Sequence, residues 1–125
     1  HFHPWIREQG HSPFVWTVLG AIAHATESIE VAVGVTCPTV RIHPAILAQA
    51  TATTANLLPD RFTWGVGSGE ALNEQILGDP WPPADVRLEM LEEAVEVTAC
   101  GQRAPAESRS RCFASRAGPD RYTGS

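Results

Sequence analysis

Ser68 and Glu70 lie among three closely spaced glycines, in the stretch RFTWGVGSGEALNEQILG that covers residues 61–78. The glycine positions allow the backbone to turn sharply and allow a ligand to approach the main chain closely. Glu70 is the one carboxylate in this turn, so it is the first candidate for proton transfer. Because a predicted strand precedes the turn and a predicted short helix follows it, the segment is typical of a site for an anion or an extended cofactor.

The glycines of this turn do not have the spacing of a dinucleotide-binding fingerprint. The pattern G-x-G-x-x-G would require glycine in place of Glu70 if it began at Gly65, and in place of Leu72 if it began at Gly67. No acidic residue ends a second strand downstream, since Asp79 is followed by a proline-rich break. Spacing alone therefore leaves two interpretations open, a plain tight turn with polar side chains facing solvent and a binding site.

A histidine pair at the start of the chain is the second group of residues that could do chemistry. His1 and His3 form an H-x-H, a pattern that binds zinc or a similar ion in metal-dependent barrel hydrolases. His43 and Glu70 are side chains that could complete such a site. Histidine pairs are common and no strand precedes this one, so we expect no metal centre and keep the hydrolase as an alternative.

The composition is that of an acidic globular part joined to a basic segment. The 125 residues are 43% hydrophobic, which is enough for a core, and they fit one ordinary domain at most. Residues 1–100 hold four arginines and twelve acids, whereas residues 101–125 hold five arginines and two acids. The acidic main part argues against a nucleic-acid partner, and the absence of lysine excludes a Schiff-base nucleophile.

Cysteine spacing and hydropathy predict a cytoplasmic protein. Cys37, Cys100 and Cys112 are odd in number and lack metal-type spacing, as expected of free thiols in a reducing compartment. No apolar run approaches the length of a membrane span, and no basic-plus-apolar leader opens the chain. We therefore expect a cytoplasmic location and no membrane partner.

The chain alternates between helical and strand patterns, which predicts a parallel sheet built from right-handed βαβ units. Residues 29–36 are β-branched and mostly apolar, as in a strand that is buried on both faces. Two parallel strands with four helices do not close an architecture, so we expect the chain to be a slice of a longer protein. The predicted helices cover residues 13–26, 44–58, 71–77 and 84–99, and the predicted strands cover residues 29–36 and 61–66.

The last 25 residues, 101–125, contain no Leu, Ile, Val, Met or Trp, and so have almost nothing to bury. Such a segment cannot offset its loss of conformational entropy by burying apolar surface. We therefore divide the chain into residues 1–100, which fold, and residues 101–125, a disordered or non-native tail. A basic tail that binds an acidic partner is the alternative.

Three blocks of this sequence resemble the luciferase-like flavin and deazaflavin oxidoreductases. The blocks HFHPW, GVTCPTVRIHPAILAQA and RFTWGVGSGEALNE occur in the family's order and at compatible separations, and WPPADVRLEMLEEAVEV extends the likeness. The resemblance covers residues 1–98 and is strongest to the coenzyme F420-dependent glucose-6-phosphate dehydrogenase subgroup. It implies that residues 1–100 are part of a (β/α)₈ TIM barrel, roughly two to three βα units of it.

The resemblance implies hydride transfer between an alcohol or sugar phosphate and coenzyme F420, which we favour over FMN. The ring supplies the redox chemistry, while the protein supplies position and protons. His1 matches the family's active-site histidine, Glu70 the catalytic carboxylate, and Trp5 a tryptophan beside the ring, with Trp64 as a further apolar wall. We assign proton donation to His1 and proton acceptance to Glu70, and leave the reverse division open.

The same resemblance implies which positions contact the cofactor. Gly34-Val35 matches a bulge where the family has a non-proline cis peptide bond behind the deazaflavin. Cys37 stands where the dehydrogenases have a threonine, so one hydrogen bond to the cofactor is in question. The implied cofactor-binding residues are Gly34, Val35, Cys37, Ser68, Gly69 and Asn73.

The family's phosphate-binding basic residues lie in later barrel strands, which this sequence does not include. The alternative to a working dehydrogenase is therefore an inactive fragment that self-associates through uncovered strand edges. We expect the whole protein to be a homodimer that binds a small-molecule substrate.

Overall fold

The computed structural model of the protein describes residues 13–103. The predicted site residues His1 and Trp5, the alternative ligand His3 and residues 104–125 of the predicted tail lie outside this range. No helix in the described range is long and apolar enough to cross a membrane. In chain order the elements are α1 (Val15–Ala25), β1 (Val31–Thr36), α2 (Pro44–Leu57), β2 (Phe62–Val66), α3 (Ala71–Glu74), a 3₁₀ turn (Gln75–Leu77) and α4 (Ala84–Arg103).

The two strands pair in parallel, which confirms the prediction from the strand–helix–strand order. Val31 pairs with Phe62 near the start of both strands, and α2 forms the crossover between them. The register shifts between Val33 and Thr36, and the Gly34-Val35 peptide bond within this interval is cis. The bulge and the cis bond expected at this place are therefore both present.

The strand β1 is not buried on both faces, so that prediction from its apolar composition is wrong. Val31 and Val33 are half-buried, whereas Ala32 and Gly34, which alternate with them along the strand, are exposed. Val35 is 59% exposed. Strands of parallel sheets are apolar because both faces are normally covered, and residues 13–103 leave the second face of this strand open.

Helix packing supplies most of the buried apolar surface in the described part of the chain. The helix α2 contacts both α1 and α4, and it also contacts β2. Leu47, in the second turn of α2, is completely buried. The buried apolar side chains are Leu19, Leu47, Ala48, Leu58 and Ala94.

The helix boundaries agree with the sequence signals at α2 and differ elsewhere. Pro44 occupies the first turn of α2, where its missing N–H has no helical partner to lose, and His43 Nδ1 accepts the Ala45 N–H at 3.1 Å. The first helix begins at Val15, two residues later than predicted. The last helix continues to Arg103, so the predicted domain boundary at residue 100 falls inside it.

Buried threonines on α2 and α4 turn their polar atoms back onto their own helices. The Oγ1 atoms of Thr54 and Thr98 each donate to a carbonyl four residues earlier, both at 2.9 Å. Thr98 is 1% exposed, and the carbonyl it bonds belongs to Ala94. Because the hydroxyl is satisfied within the helix, the methyl group is the part that contributes packing.

This arrangement predicts that Thr98→Ser destabilises the protein more than Thr98→Val does. Thr98→Ser deletes the buried methyl and should lower the free energy of unfolding by about 1 kcal/mol. Thr98→Val keeps the shape and should cost less, because the Ala94 carbonyl retains its helical N–H donor. Urea unfolding followed by circular dichroism compares them, and a Val variant less stable than the Ser variant would contradict the packing role of the methyl.

Candidate functional site

The loops that leave β1 and β2 meet at the carboxyl ends of the two strands. The Gly67 N–H donates to the Thr36 carbonyl at 2.9 Å, and the chain leaves the sheet on both sides beyond this bond. Parallel strands present their following loops at the same edge, which is where barrel enzymes gather functional groups. The predicted site residues at this edge are Gly34, Val35, Cys37, Ser68, Gly69, Glu70 and Asn73.

Val35 and Gly67 form a shallow apolar surface at this edge. A Cβ at Gly67 would come within 2.9 Å of Val35 Cγ2, so the glycine provides the space that the valine side chain fills. More than half of the Val35 side chain is nevertheless accessible. An accessible aliphatic side chain beside bare backbone can receive the flat face of a ring.

Gly69 packs directly against Cys37. Its φ angle of +80° lies in the left-handed region, and a Cβ there would come within 2.7 Å of Cys37 Sγ and 3.1 Å of Glu74 Cγ. The Cys37 Sγ also lies 3.1 Å from Thr39 Oγ1, within hydrogen-bonding distance for sulfur. The glycine turn and the loop after β1 are therefore in contact, and Cys37 lies between them.

Glu70 is exposed at the start of α3, so the expected enclosure of its carboxylate by Trp64 is not found within residues 13–103. Its carbonyl accepts the backbone N–H groups of Asn73 at 3.0 Å and Glu74 at 3.1 Å. The Asn73 Nδ2 also donates to Glu70 Oε2, at a long 3.5 Å. Asn73 thus orients the carboxylate while leaving it accessible to a ligand.

Glu74 is the buried carboxyl of this region, and the sequence analysis did not select it. The residue is 4% exposed, and its Oε2 has no hydrogen-bond partner among the described residues. Burial raises the pKa of Glu74, and the nearby charge of Arg41 and a hydrogen bond from the Arg41 backbone N–H oppose this rise. Desolvation is the larger effect, so the fold favours the neutral acid.

The apolar residues around Glu74 are more exposed than Glu74 itself. Leu72 and Ile76 are both 45% exposed, and Leu77 is 55% exposed. The signal that could have identified Glu74 is its spacing of four residues from Glu70. Two carboxylates one helical turn apart repel each other unless their environments differ, and here one is exposed and the other buried.

The buried Glu74 predicts a loss of stability as the pH rises. Its folded pKa lies above the unfolded value of 4.5, so the folded state holds the proton more tightly. The contribution of Glu74 to stability should therefore be largest below pH 4.5, fall through the raised folded pKa and then level off. Urea unfolding from pH 4 upward should show this fall in the native protein, and Glu74→Gln should remove it.

The exposed Glu70 supplies the control for this pH experiment. Glu70→Gln removes a carboxylate from the same turn without removing a buried acid, so the fall should persist in that variant. The charged or titratable groups that face Glu74 are Arg41 and Cys37, from the loop after β1, and Glu70 from its own helix. If the stability of the native protein minus that of the Glu74→Gln variant is flat or rises with pH, the assignment is contradicted.

The described residues provide no support for the metal-hydrolase alternative. Residues 13–103 contain no group of three or more His, Cys, Asp or Glu side chains placed to hold a metal ion. His43, one candidate ligand, uses Nδ1 to cap α2. The positions of His1 and His3 are outside the described residues.

The family model described as luciferase-like monooxygenase matches residues 1–114 of this chain. The match extends beyond residue 98, where the sequence resemblance was expected to end, and past the end of α4. It includes both loops of the candidate site.

Curated relatives of the chain include F420-dependent glucose-6-phosphate dehydrogenases. The one from Microbacterium testaceum (strain StLB037) is 42% identical over 97 residues, which cover 78% of this chain and 29% of the relative. The one from Beutenbergia cavernae is 45% identical over 95 residues, which cover 76% of this chain and 28% of the relative. The chain therefore spans less than a third of the length of these relatives.

A solved structure of an F420-dependent secondary alcohol dehydrogenase in complex with an F420-acetone adduct shares the fold. The TM-score is 0.75 at 39% sequence identity, and the match covers 83% of this chain and 32% of that chain. The prediction of a partial (β/α)₈ barrel is confirmed, with β1 and β2 and their following helices as two of its βα units. On the family match and this shared fold, the chain belongs to the luciferase-like monooxygenase family.

Proposed function

We propose that this chain supplies part of the cofactor site, and one proton-transfer residue, of a coenzyme F420-dependent oxidoreductase. The observation that carries the proposal is the meeting of residues 34–37 with residues 67–73 at one edge of a parallel sheet. The glucose-6-phosphate and secondary alcohol dehydrogenases that resemble the chain use this cofactor. Their substrates support an alcohol or a sugar phosphate as the hydride donor.

The residues at this edge fit a deazaflavin ring. A side chain at Gly67 or Gly69 would collide with Val35 or Cys37, so the two glycines let the turn after β2 pack against the end of β1, where Val35 remains accessible. In the proposed site Val35 would support one face of the ring, and Ser68, Gly69 and Asn73 would bind its polar edge. When bound, the deazaflavin supplies the hydride-accepting carbon.

In the proposed site Glu70 acts on the substrate hydroxyl and does not hold the cofactor. Removing a hydride from an alcohol carbon requires a base for the hydroxyl proton, and Glu70 is an accessible carboxylate oriented by Asn73. We assign it that role. Proton donation by His1 and ring contact by Trp5 follow from the family resemblance and belong to the same proposal.

Cofactor binding by the full 125-residue chain tests the proposal directly. Quenching of F420 fluorescence should saturate with added protein, and FMN should bind more weakly. Val35→Asp places a charge against the ring and should weaken F420 binding about tenfold or more. Leu88→Asp on α4 is the matched control, since Leu88 is 58% exposed and Val35 is 59% exposed.

The same experiment separates the proposal from a non-catalytic fragment. Absence of saturable quenching, together with self-association in size-exclusion chromatography, would favour the fragment that associates through uncovered strand edges. Equal loss of affinity in the Val35 and Leu88 variants would place the cofactor elsewhere. The proposal also includes a homodimeric whole protein.

A further inference from the structure

We propose that Glu74 is a positioning residue, which holds the loop after β1 against the turn after β2 and so fixes where Glu70 and Asn73 lie. The proposal rests on the proposed function only for its expected effect on cofactor affinity. The contact between the two loops is a property of the fold and is tested separately.

The carboxyl end of Glu74 is attached to the loop after β1. The Arg41 backbone N–H donates to it, and the Arg41 charge also attracts it. The Glu74 side chain passes close to Gly69, whose added Cβ would lie 3.1 Å from Glu74 Cγ and 3.2 Å from Cys37 Cβ. With 4% of its surface exposed, the side chain is enclosed between the loops.

The backbone end of Glu74 is attached to the candidate proton acceptor. Its N–H donates to the Glu70 carbonyl at 3.1 Å, and the neighbouring Asn73 N–H donates to the same carbonyl at 3.0 Å. Glu74 therefore connects Arg41 to Glu70 through one side chain and one helical hydrogen bond. Movement of its carboxyl away from Arg41 would shift the residues that would orient and bind the ligand.

A carboxyl suits this position better than the apolar residue that its burial would otherwise favour. A Leu side chain at position 74 would remove the acceptor of the Arg41 N–H, so this hydrogen bond between the loops would be lost. Gln would retain an acceptor oxygen with nearly the same shape and no charge. Asp would keep the carboxyl group but withdraw it from Arg41 by one methylene.

Amide hydrogen exchange at Arg41 in the full chain is the direct test. Glu74→Leu should lower the Arg41 protection factor about tenfold or more, as should Glu74→Asp, whereas Glu74→Gln should stay within about threefold of the native value. The Gly67 amide, which bonds Thr36, should keep its protection in all variants and reports that the sheet is intact. If the Leu variant does not fold, the contrast between Asp and Gln decides.

Native-like protection of Arg41 in the Asp variant, or equal loss in Asp and Gln, would overturn the proposal. Affinity for F420 gives the functional readout: about tenfold weaker binding in the Asp variant, and less than threefold change in the Gln variant. Loss of Arg41 protection with unchanged affinity would also overturn the positioning role. If the native chain does not bind F420, the proposed function fails, and the exchange data alone decide whether Glu74 joins the loops.

Discussion

Glu70→Gln should slow hydride transfer about 10²–10⁴-fold in a complete barrel that contains this chain. The substitution preserves the size of the side chain and its hydrogen bond with Asn73, but the amide cannot accept the hydroxyl proton of the substrate. Affinity for F420 should change less than about threefold, because the proposed ring contacts come from Val35 and the glycine turn. The loss should therefore appear in kcat rather than in cofactor binding.

A chimeric barrel allows this measurement. The chain would replace the matching 32% of the F420-dependent secondary alcohol dehydrogenase, and reduction of F420 by a secondary alcohol would be followed by absorbance. Glu89→Gln, an exposed glutamate on α4, is the matched control and should leave the rate unchanged. If the chimera with Glu70→Gln turns over at the rate of the unsubstituted chimera, Glu70 has no part in proton transfer.

Gly69→Ala should lower the free energy of unfolding by about 2–5 kcal/mol. Part of the loss is backbone strain, because φ at this position is +80°. The rest is overpacking, because the new Cβ would lie 2.7 Å from Cys37 Sγ. A cost of this size is a large fraction of the total stability of about 5–15 kcal/mol that domains usually have.

Gly78 separates the two contributions to this loss. Its φ of +82° is nearly the same, but a Cβ there would meet no atom within 4 Å. Gly78→Ala should therefore show the strain alone, about 1–2 kcal/mol. Urea unfolding of both variants gives the comparison. Equal losses at the two positions would mean that the loops are not in close contact at Cys37.

The β1–α2–β2 unit could be predicted from sequence because its signals are local. β-branched residues mark both strands, Pro44 and its capping histidine mark the start of α2, and the glycines mark the turn after β2. Each of these residue types sets the backbone conformation of its immediate neighbours in the sequence. The parallel pairing then follows from the crossover helix, because strand–helix–strand connections of this kind join parallel strands with a right-handed crossover.

The features that sequence reasoning missed depend on segments far apart in the chain. Glu74 is buried because residues 37–41, which lie more than thirty positions earlier in the chain, cover it. The sequence around position 74 does not predict which segment makes this contact. The exposure of Val35 and Ala32 depends in the same way on which elements cover the second face of the sheet. The composition of a strand shows that one of its faces is suited to burial, but it does not identify the element that covers that face.

The parallel pairing of β1 with β2 also has a consequence for how the polypeptide is made. The strands are neighbours in sequence as well as in space, and the helix that connects them, α2, contacts β2. Pairing of the two strands needs no segment from later in the chain, so its entropic cost is that of closing the connection over residues 37–61. The strand pair can therefore form on the ribosome once β2 has emerged, whereas α2 gains its contact with α4 only when that later helix has been made.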